Sequence, residues 1–174
     1  RLGRLEFWLK PFGEEIRAFR RRDNGEVIAL APEGERFDAQ GFMPVGSAPV
    51  AEGDWVSTYQ ETSGWVEGNA ILPTGRAVNA ILRLNMAEWE RVLEPGCWVL
   101  DMHIPAGGKM SPDAVRESMM TAREFFAKYF PDKILVGFVC WSWIFSPVLD
   151  QILPEESNLV KNMHEVYLFP YASD

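Results

Sequence analysis

Residues 96–145 read GCWVLDMHIPAGGKMSPDAVRESMMTAREFFAKYFPDKILVGFVCWSWIF. The stretch predicts a strand, a glycine loop, a helix and a second strand in direct succession. Cys97 to Ile104 is dense in apolar and β-branched residues, as a strand requires. Pro105 to Met110 then ends that strand with residues that favour an open loop. We expect the rest of the chain to provide the structural framework around this segment.

Three adjacent residues predict where the helix begins. Ser111 is a preferred N-cap, Pro112 is tolerated at the first helical position, and Asp113 suits the positive end of the helix dipole. Apolar residues then recur at spacings of four and three, which predicts one apolar helix face. That face consists of Val115, Met119, Ala122, Phe126 and Tyr129. Pro131 and Asp132 end the helix.

The second strand, Ile134 to Trp141, lacks polar alternation, which predicts a strand buried on both faces. A strand, a crossover helix and a second strand imply a parallel pair with a right-handed connection. The carboxyl ends, His103 to Ile104 and Cys140 to Trp143, then open beside the glycine loop and the helix N-terminus. Open α/β sheets bind ligands at this edge, and free N–H groups at a helix N-terminus can bind a phosphate.

Composition limits the class of protein. The chain has 174 residues, 47% of them hydrophobic and 24% charged, which favours one globular domain. Its net charge of −8 argues against nucleic acid as a partner. No apolar run reaches the ~20 residues that span a bilayer, and no signal-peptide pattern opens the sequence, so we expect a cytoplasmic protein that does not bind membranes. Because the chain begins with Arg1, we expect a fragment of a longer polypeptide.

The two cysteines do not predict a disulfide. Cys97 begins one parallel strand and Cys140 lies near the end of the other, so they should be roughly 20 Å apart at the usual strand rise. We expect both to be buried thiols in a reducing compartment.

The N-terminal part predicts antiparallel strands. Leu5 to Leu9 reads as a strand, and Asp23-Asn24-Gly25 between Ile16–Arg22 and Glu26–Ala31 predicts a hairpin. A short helix over Glu14–Arg22 is the alternative. The arginines of this segment (Arg17, Arg20, Arg21 and Arg22) are expected on a solvated face. Pro32 to Val50, rich in Gly and Pro, predicts a strand remnant and an irregular connection.

The remaining segments predict further strands and short helices. Asp54–Glu61 should pair with Trp65–Leu72 across a turn at Thr62-Ser63-Gly64. Asn85 can cap a helix through Leu93, which Pro95-Gly96 would end. After residue 145 the expected elements are a helix opened by Ser146-Pro147 and ended by Pro154, a helical turn capped by Ser157 or Asn158, and a strand from Glu165 to Tyr171.

Several short segments of the sequence resemble those of a known family. They are Arg1-Leu2-Gly3-Arg4-Leu5, His103-Ile104-Pro105-Ala106-Gly107-Gly108, Phe125-Phe126 with Phe130-Pro131-Asp132, Cys140-Trp141-Ser142-Trp143 and Leu153-Pro154-Glu155-Glu156-Ser157-Asn158. With the predicted element order they resemble the GNAT superfamily of acyl-CoA-dependent acyltransferases. More narrowly, the chain resembles the GNAT-like C-terminal domain of bacterial acyltransferase-domain proteins, in which that domain follows a helical N-terminal region.

The resemblance implies a fold and an activity. The fold is α/β (α+β): a mixed, mostly antiparallel sheet with a central parallel strand pair and helices on both faces. It implies one domain over 1–174, with strands and a hairpin in 1–50, antiparallel strands and a helix in 51–95, the cofactor core in 96–145, and helices and a strand in 146–174. The activity is transfer of an acyl group from acyl-CoA to an amine, with no metal.

The pyrophosphate loop departs from the superfamily pattern of Gln or Arg, two residues, Gly, one residue, Gly or Ala. Placing that pattern on Gly107 puts Ile104 at the Gln or Arg position and Lys109 at the second small position. This departure motivates an alternative function: a non-catalytic module that binds an acyl or nucleotide ligand or docks a partner domain.

Asp101 and His103 are the candidates for the general base. They lie two positions apart on one strand face, roughly 7 Å by strand rise. His or a raised carboxylate can take a proton from an amine that attacks a thioester, and the superfamily often carries an acidic base on this strand. Alternatively, Asp101 pairs with an Arg of a neighbouring strand and His103 bonds a loop carbonyl.

The predicted cofactor site is the loop with the adjoining strand ends. Its amides and Lys109 would hold a pyrophosphate, while the backbone of Met102 to Ile104 would pair with the pantetheine arm. The residues assigned to it are Ile104, Pro105, Ala106, Gly107, Gly108, Lys109, Met110, Ser111, Cys140 and Ser142.

Three polar residues could orient the leaving thiolate or the acceptor: Ser142, Ser157 and Asn158. Ser157 and Asn158 also fit the role of helix caps. Cys140 suggests a third function, a hydrolase, although a strand cysteine lacks a nearby base. No Cys or His cluster has zinc-ligand spacing, and His164 stands alone.

Overall fold

A computed structural model describes residues 1–44, 46 and 48–171. Its contacts divide the chain into two compact units. The strand–helix unit comprises Arg1–Gly13 and Gly96–Val166, and the sheet unit comprises Glu14–Pro95 and Tyr167–Asp174. That the chain forms one domain stays a prediction.

The described residues form strands, α-helices and a 3-10 turn, and each type is numbered in chain order. The strands are β1 (Glu6–Pro11), β2 (Arg17–Arg21), β3 (Val27–Leu30), β4 (Arg36–Phe37), β5 (Trp55–Val56), β6 (Tyr59–Thr62), β7 (Trp65–Ile71), β8 (Ala77–Asn85), β9 (Trp89–Leu93), β10 (Trp98–His103) and β11 (Leu135–Val139). The helices are α1 (Pro112–Tyr129), α2 (Leu149–Ile152) and α3 (Asn158–His164), with a 3-10 turn at Trp143–Phe145. Helix α1 lies between β10 and β11, and the other helical segments follow β11.

The strand–helix unit contains the predicted parallel pair. β10 runs parallel to β11 and antiparallel to β1, in the order β1-β10-β11. The parallel arrangement of the pair is confirmed, but only β10 is central in the sheet. The prediction that the second strand is buried on both faces is wrong, because no residue of β11 is fully buried; β11 is also an edge strand. Val136 is 42% exposed and Ile134, just before the strand, is 81% exposed.

Helix α1 begins as predicted, with the Ser111 hydroxyl as its N-cap. Ala122 and Phe126 are buried, and they pack in one apolar cluster with Phe7, Leu100 and other residues of β1 and β10. Val115 and Met119 lie against the same cluster. Tyr129, the last residue of the predicted apolar face, is 58% exposed, and its ring lies 4.7 Å from that of Phe125, which is itself exposed.

The sheet unit is antiparallel, with strand order β6-β7-β3-β2-β9 and with β8 paired to β7. The hairpin around Asp23-Asn24-Gly25 is confirmed as β2 and β3, so the alternative helix over Glu14–Arg22 is wrong. Gly25 has φ 75°, the left-handed conformation that such a turn requires. The core of this unit is formed by Phe19, Leu30, Val66, Ala70 and Leu84.

The helix predicted from Asn85 to Leu93 is wrong, since this segment is the turn after β8 followed by strand β9. The Asn85 side-chain oxygen accepts from the Ala87 N–H, and its carbonyl accepts from the Glu88 N–H, which closes the turn. β9 then pairs with β2, with Trp89 opposite Arg21. Long-range strand pairing therefore overrides a helical period that the sequence also fits.

Three other segments differ from their predictions. Trp55–Val56 pairs with β4, so only β6 forms the predicted hairpin with β7. The C-terminal strand is wrong: in the described part of the chain, residues 165–171 contribute a single bridge, between Leu168 and Thr74. α2 begins at Leu149, where the Ser146 carbonyl rather than its hydroxyl accepts from the Leu149 N–H. The architecture as a whole is sheet-rich α+β with mixed strand directions.

Candidate functional site

The parallel strands β10 and β11 stop pairing at one position. Asp101 of β10 is opposite Val139 of β11 in the last pair. Beyond it lie Met102 and His103, which still pair with Phe7 and Glu6 of β1 on their other side. The edge of β10 that faces away from β1 is therefore unpaired with β11 at these two residues, next to the loop that leads into α1.

Asp101 is a buried carboxylate held by a lysine of the neighbouring strand. Its side chain is 8% exposed, and the Lys10 Nζ lies 2.8 Å from the Asp101 Oδ2. The same Nζ lies 4.6 Å from the ring centroid of Trp141, a favourable cation–π distance. The sequence predicted an Arg as the alternative partner of Asp101; the partner is Lys10. Lys10 thus connects Asp101 to the residue that lies two positions beyond the end of β11.

His103 converges on the same carboxylate. Its ring packs on that of Trp8 with a centroid separation of 3.8 Å, and its Nε2 lies 3.5 Å from the Asp101 Oδ2. The His103 side chain is 39% exposed, although its Nε2 is buried and has no hydrogen-bond partner in the part of the chain that the structure describes. The structure therefore brings Asp101 and His103 together, with the imidazole more accessible than the carboxylate.

The loop after β10 has two glycines in the left-handed conformation. Gly107 has φ 76° and Gly108 has φ 78°, a region that other residues rarely adopt. Ala106, Gly107, Gly108 and Lys109 are exposed, while Met110 is buried in the core cluster. The loop backbone is accordingly open to solvent at its tip and fixed where it enters α1.

Two side chains fix the end of this loop. The Asn162 Nδ2 of α3 donates to the Met110 carbonyl at 2.8 Å, and the Ser111 Oγ accepts from the Ala114 N–H at 3.4 Å. Ile104 packs against the core cluster, and Pro105 is half-buried. Asn162 was not predicted, because its role depends on the contact between α3 and the loop.

Arg4 is another residue of the site that the sequence did not predict. Its Nη2 donates to the Gly108 carbonyl at 3.4 Å. Its Nε and Nη1 are buried and have no hydrogen-bond partner among residues 1–44, 46 and 48–171. The Arg4 N–H donates to the Ser118 Oγ of α1 at 2.7 Å, which fixes the N-terminal segment beside the helix. The sequence pointed to Arg4 only in that it belongs to one of the short segments that resemble the family.

Cys140 is a half-buried free thiol. Burial, and secondly the negative charge of Asp101, raise the pKa of Cys140 to about 12. A thiolate nucleophile is therefore disfavoured near neutral pH, which weakens the hydrolase hypothesis. Cys97 and Cys140 are both free thiols, but the prediction that both are buried is wrong, since each is only half-buried. Ser142 is half-buried, and its carbonyl accepts from the Phe145 N–H of the 3-10 turn.

Ser157 and Asn158 form the start of α3. The Ser157 Oγ caps the helix by accepting from the Leu159 N–H at 3.3 Å. The Asn158 carbonyl accepts from the Asn162 Nδ2 at 2.8 Å. The structure thus shows Ser157 in the capping role that the sequence offered as the alternative to catalysis.

The sheet unit has a charged cluster of its own. Arg91 Nη2 lies 2.6 Å from Glu61 Oε1, and the Arg17 guanidinium lies 4.5 Å from the Tyr59 ring centroid. Burial raises the pKa of Tyr59, and its hydrogen bond to Glu61 adds to the effect. Burial opposes ionisation of Glu61, but bonds from Tyr59 and Arg91 hold the pKa of that carboxyl below its usual range. These contacts join β2, β6 and β9, and we regard them as structural.

Metal sites and membrane-spanning helices are two further classes of feature that the described residues lack. His, Cys, Asp and Glu side chains there form no group of three suited to a metal ion. None of the helices described combines the length and apolarity needed to cross a bilayer. A shallow depression lies along α1, but its lining comes from one exposed face of that helix: Asp113, Arg116, Glu117, Met120, Thr121 and Glu124.

Comparison with known proteins gave one match. A family model described as GNAT-like C-terminal domain matches residues 1–174, the whole chain. Neither the comparison with curated proteins nor that with solved structures gave a match.

Proposed function

Because the chain belongs to the family of GNAT-like C-terminal domains, we propose that it is an acyl-CoA-dependent N-acyltransferase. It would transfer the acyl group of a CoA thioester directly to an amine. One observation supports this most: the parallel strands stop pairing at Asp101 and Val139, beside a glycine loop that leads into a helix N-terminus. A thioester fits between such strand ends, and a pyrophosphate fits the loop.

The pyrophosphate would be bound by the exposed amides of Ala106 to Lys109 and by two cations. Lys109 is exposed on the loop, and Arg4 contacts Gly108 through its guanidinium. We propose that Arg4 supplies the positive charge that Ile104 does not, because its guanidinium lies beside the glycine loop, with Nη2 3.4 Å from the Gly108 carbonyl. Guanidinium groups bind phosphate oxygens through strong charge-assisted hydrogen bonds.

The pantetheine arm would pair with β10. Met102 and His103 are hydrogen-bonded to β1 on one side and extend past the last β11 pair on the other. An extended ligand with amide groups can add to such a free edge as a further strand. This would bring the thioester near Cys140 and Ser142, whose side chains would line the leaving sulfur.

His103 would act as the general base. The imidazole is 39% exposed, whereas the Asp101 side chain is 8% exposed and already paired with Lys10. Because the His103 Nε2 is buried and faces Asp101, an incoming amine would reach the imidazole at Nδ1. Asp101, 3.5 Å from the imidazole, would stabilise its protonated form. Ser157 and Asn158 have no part in this scheme, since they begin α3.

Ligand-dependent thermal unfolding tests the proposal. CoA or acyl-CoA at about a hundredfold above its Kd should stabilise the protein by ~2.7 kcal/mol, or roughly 5–10 °C. Arg4→Gln should weaken CoA binding by roughly 10- to 100-fold, since a charged hydrogen bond contributes ~1.5–3 kcal/mol. Arg83→Gln is the matched control: it also removes one positive charge, but from an exposed pair with Glu67 in the sheet unit. No stabilisation by CoA or by acyl-CoAs of several lengths would contradict the proposal.

Release of free CoA with a panel of amines tests the chemistry. His103→Ala should lower the rate by ~10²–10⁴, the usual contribution of a general base. Its stabilisation by CoA should remain, because His103 does not contact the pyrophosphate loop in this scheme. Equal activity in His103→Ala and the wild type would contradict the base assignment.

A second function remains a candidate because of Ile104. Without the Gln or Arg that the superfamily places there, the domain could be a non-catalytic module that binds an acyl or nucleotide ligand, or that docks a partner domain. Stabilisation by CoA without turnover over the amine panel would favour a binding module. A cytoplasmic location and a helical N-terminal region in the same polypeptide stay predictions.

A further inference from the structure

One primary amine already lies at the proposed site of transfer. Lys10 Nζ is 2.8 Å from Asp101, the last residue of β10 that pairs with β11. It is also 4.6 Å from the ring of Trp141, just beyond β11. The amine therefore bridges the two strands where they stop pairing, and its side chain is 40% exposed.

We propose that Lys10 is itself an acyl acceptor, so that the domain acylates its own Lys10 when supplied with acyl-CoA. This inference rests on the proposed function, because the thioester must lie between the ends of β10 and β11. Asp101 is nearly inaccessible to an external amine, yet it is in direct contact with this one. The carboxylate and Lys10 have the arrangement that an amine and its proton acceptor need.

The reaction balances with the groups present. The Lys10 ammonium gives a proton to the Asp101 carboxylate, and the neutral Nζ attacks the thioester carbonyl. The carbon–sulfur bond breaks, the thiolate leaves, and the second proton lost from the nitrogen protonates it. Asp101 passes its proton to His103 or to water. The products are an amide on Lys10, free CoA thiol and one proton.

Lys133 provides a matched comparison within the same unit. Its Nζ lies 4.3 Å from the Trp98 ring and 3.3 Å from Asp132, with the side chain 31% exposed. Both lysines therefore contact a tryptophan and a carboxylate, at similar exposure. Lys133 lies just before β11 begins, whereas the Lys10 Nζ contacts Asp101, which is opposite the last residue of β11. A chemical reaction with bulk acyl-CoA should not distinguish them, but a reaction with bound acyl-CoA should.

Acylation also has a consequence for the site. An amide at Lys10 carries no charge, so Asp101 would lose its ammonium partner and would keep only His103 nearby. The rate of acyl transfer to external amines should therefore differ between the protein acylated at Lys10 and the unmodified protein.

The experiment is incubation of the full chain with acetyl-CoA, followed by intact mass measurement and peptide mapping of the five lysines, Lys10, Lys109, Lys128, Lys133 and Lys161. We expect Lys10 to be acetylated at least about tenfold faster than Lys133, because a bound thioester has a high effective concentration. The rate should saturate with acetyl-CoA and be independent of protein concentration. Lys10→Arg should abolish the fast phase, and Lys133→Arg should leave it unchanged.

Equal rates at Lys10 and Lys133, or a rate that rises linearly with acetyl-CoA, would overturn the inference. This comparison uses the wild-type protein, so it does not depend on a variant that folds. Acetylation of external amines with Lys10 unmodified would overturn the inference and leave the proposed function intact. Absence of CoA binding and of transfer to any amine would overturn both.

Discussion

The ammonium of Lys10 forms an ion pair at 2.8 Å with the Asp101 carboxylate across the β1–β10 pairing, and the Asp101 side chain is only 8% exposed. A carboxylate at that depth depends on its partner, because an uncompensated buried charge is costly. The pair therefore stabilises the strand–helix unit at the place where the chemistry is proposed.

Lys10→Met should lower the free energy of unfolding by about 1–3 kcal/mol, since it leaves the buried Asp101 carboxylate without its ammonium partner and with only His103 nearby. Urea unfolding measures this. Lys133→Met is the control, because the exposed pair of Lys133 with Asp132 should contribute at most ~1 kcal/mol. The double variant Lys10→Met/Asp101→Leu should recover part of the loss. Equal losses in the two single variants would show that burial of Asp101 is not the cause.

Gly41 and Gly34 provide a matched pair for backbone strain in the sheet unit. Both have positive φ, 86° and 83°, but a Cβ on Gly41 would lie 2.0 Å from the Ala77 carbonyl oxygen, whereas the space around Gly34 is open. Gly34→Ala should cost ~1–2 kcal/mol from its dihedral alone. Gly41→Ala should cost more, ~3 kcal/mol or above, because the backbone must also move. Urea unfolding of both variants checks this, and equal losses would contradict the steric explanation.

The strand–helix unit could be predicted from local signals. Ser111, Pro112 and Asp113 fixed the start of α1, and the crossover helix required β10 and β11 to be parallel. Segments whose fate depends on distant partners could not be predicted. Residues 85–93 fit a helical period, yet pairing of β9 with β2 makes them a turn and a strand.

The residues of the candidate site also include some that the sequence could predict and some that it could not. Asp101 and His103 were predicted because they share one strand and one face of it. Lys10 and Arg4 were missed, because they are brought to the site by antiparallel pairing of β1 and by the contact of the N-terminal segment with α1. The edge position of β11 was also missed, since an apolar run alone does not show how many neighbours a strand has.

Ser157→Ala should separate capping from catalysis. The loss of the Ser157 cap on α3 should lower the free energy of unfolding by ~1 kcal/mol. Acyl transfer per folded molecule should not change, and Ser157→Asp should restore stability because Asp also caps helices. Unfolding and CoA-release measurements on both variants test this. A large loss of turnover in both, with stability intact, would return Ser157 to the catalytic residues.

Cys140 should react slowly with alkylating agents. Since burial raises its pKa from the model-compound value of 9.0 to about 12, its thiolate fraction at pH 8 should be roughly a thousandfold lower than that of a free cysteine. In a Cys97→Ser background, iodoacetamide should modify Cys140 slowly in the folded protein and rapidly in urea. The raised pKa of Cys140 also makes the free energy of unfolding depend on pH. Below pH ~9 the thiol is protonated in the folded and the unfolded state, and its contribution to stability is complete. As the pH rises toward 12 this contribution is lost, because the thiol of the unfolded chain ionises first. In the Cys140→Ala variant the free energy of unfolding should therefore fall less between about pH 9 and pH 12 than in the wild type. Rapid alkylation of the folded protein at pH 7 would contradict the buried thiol and would favour the hydrolase hypothesis instead.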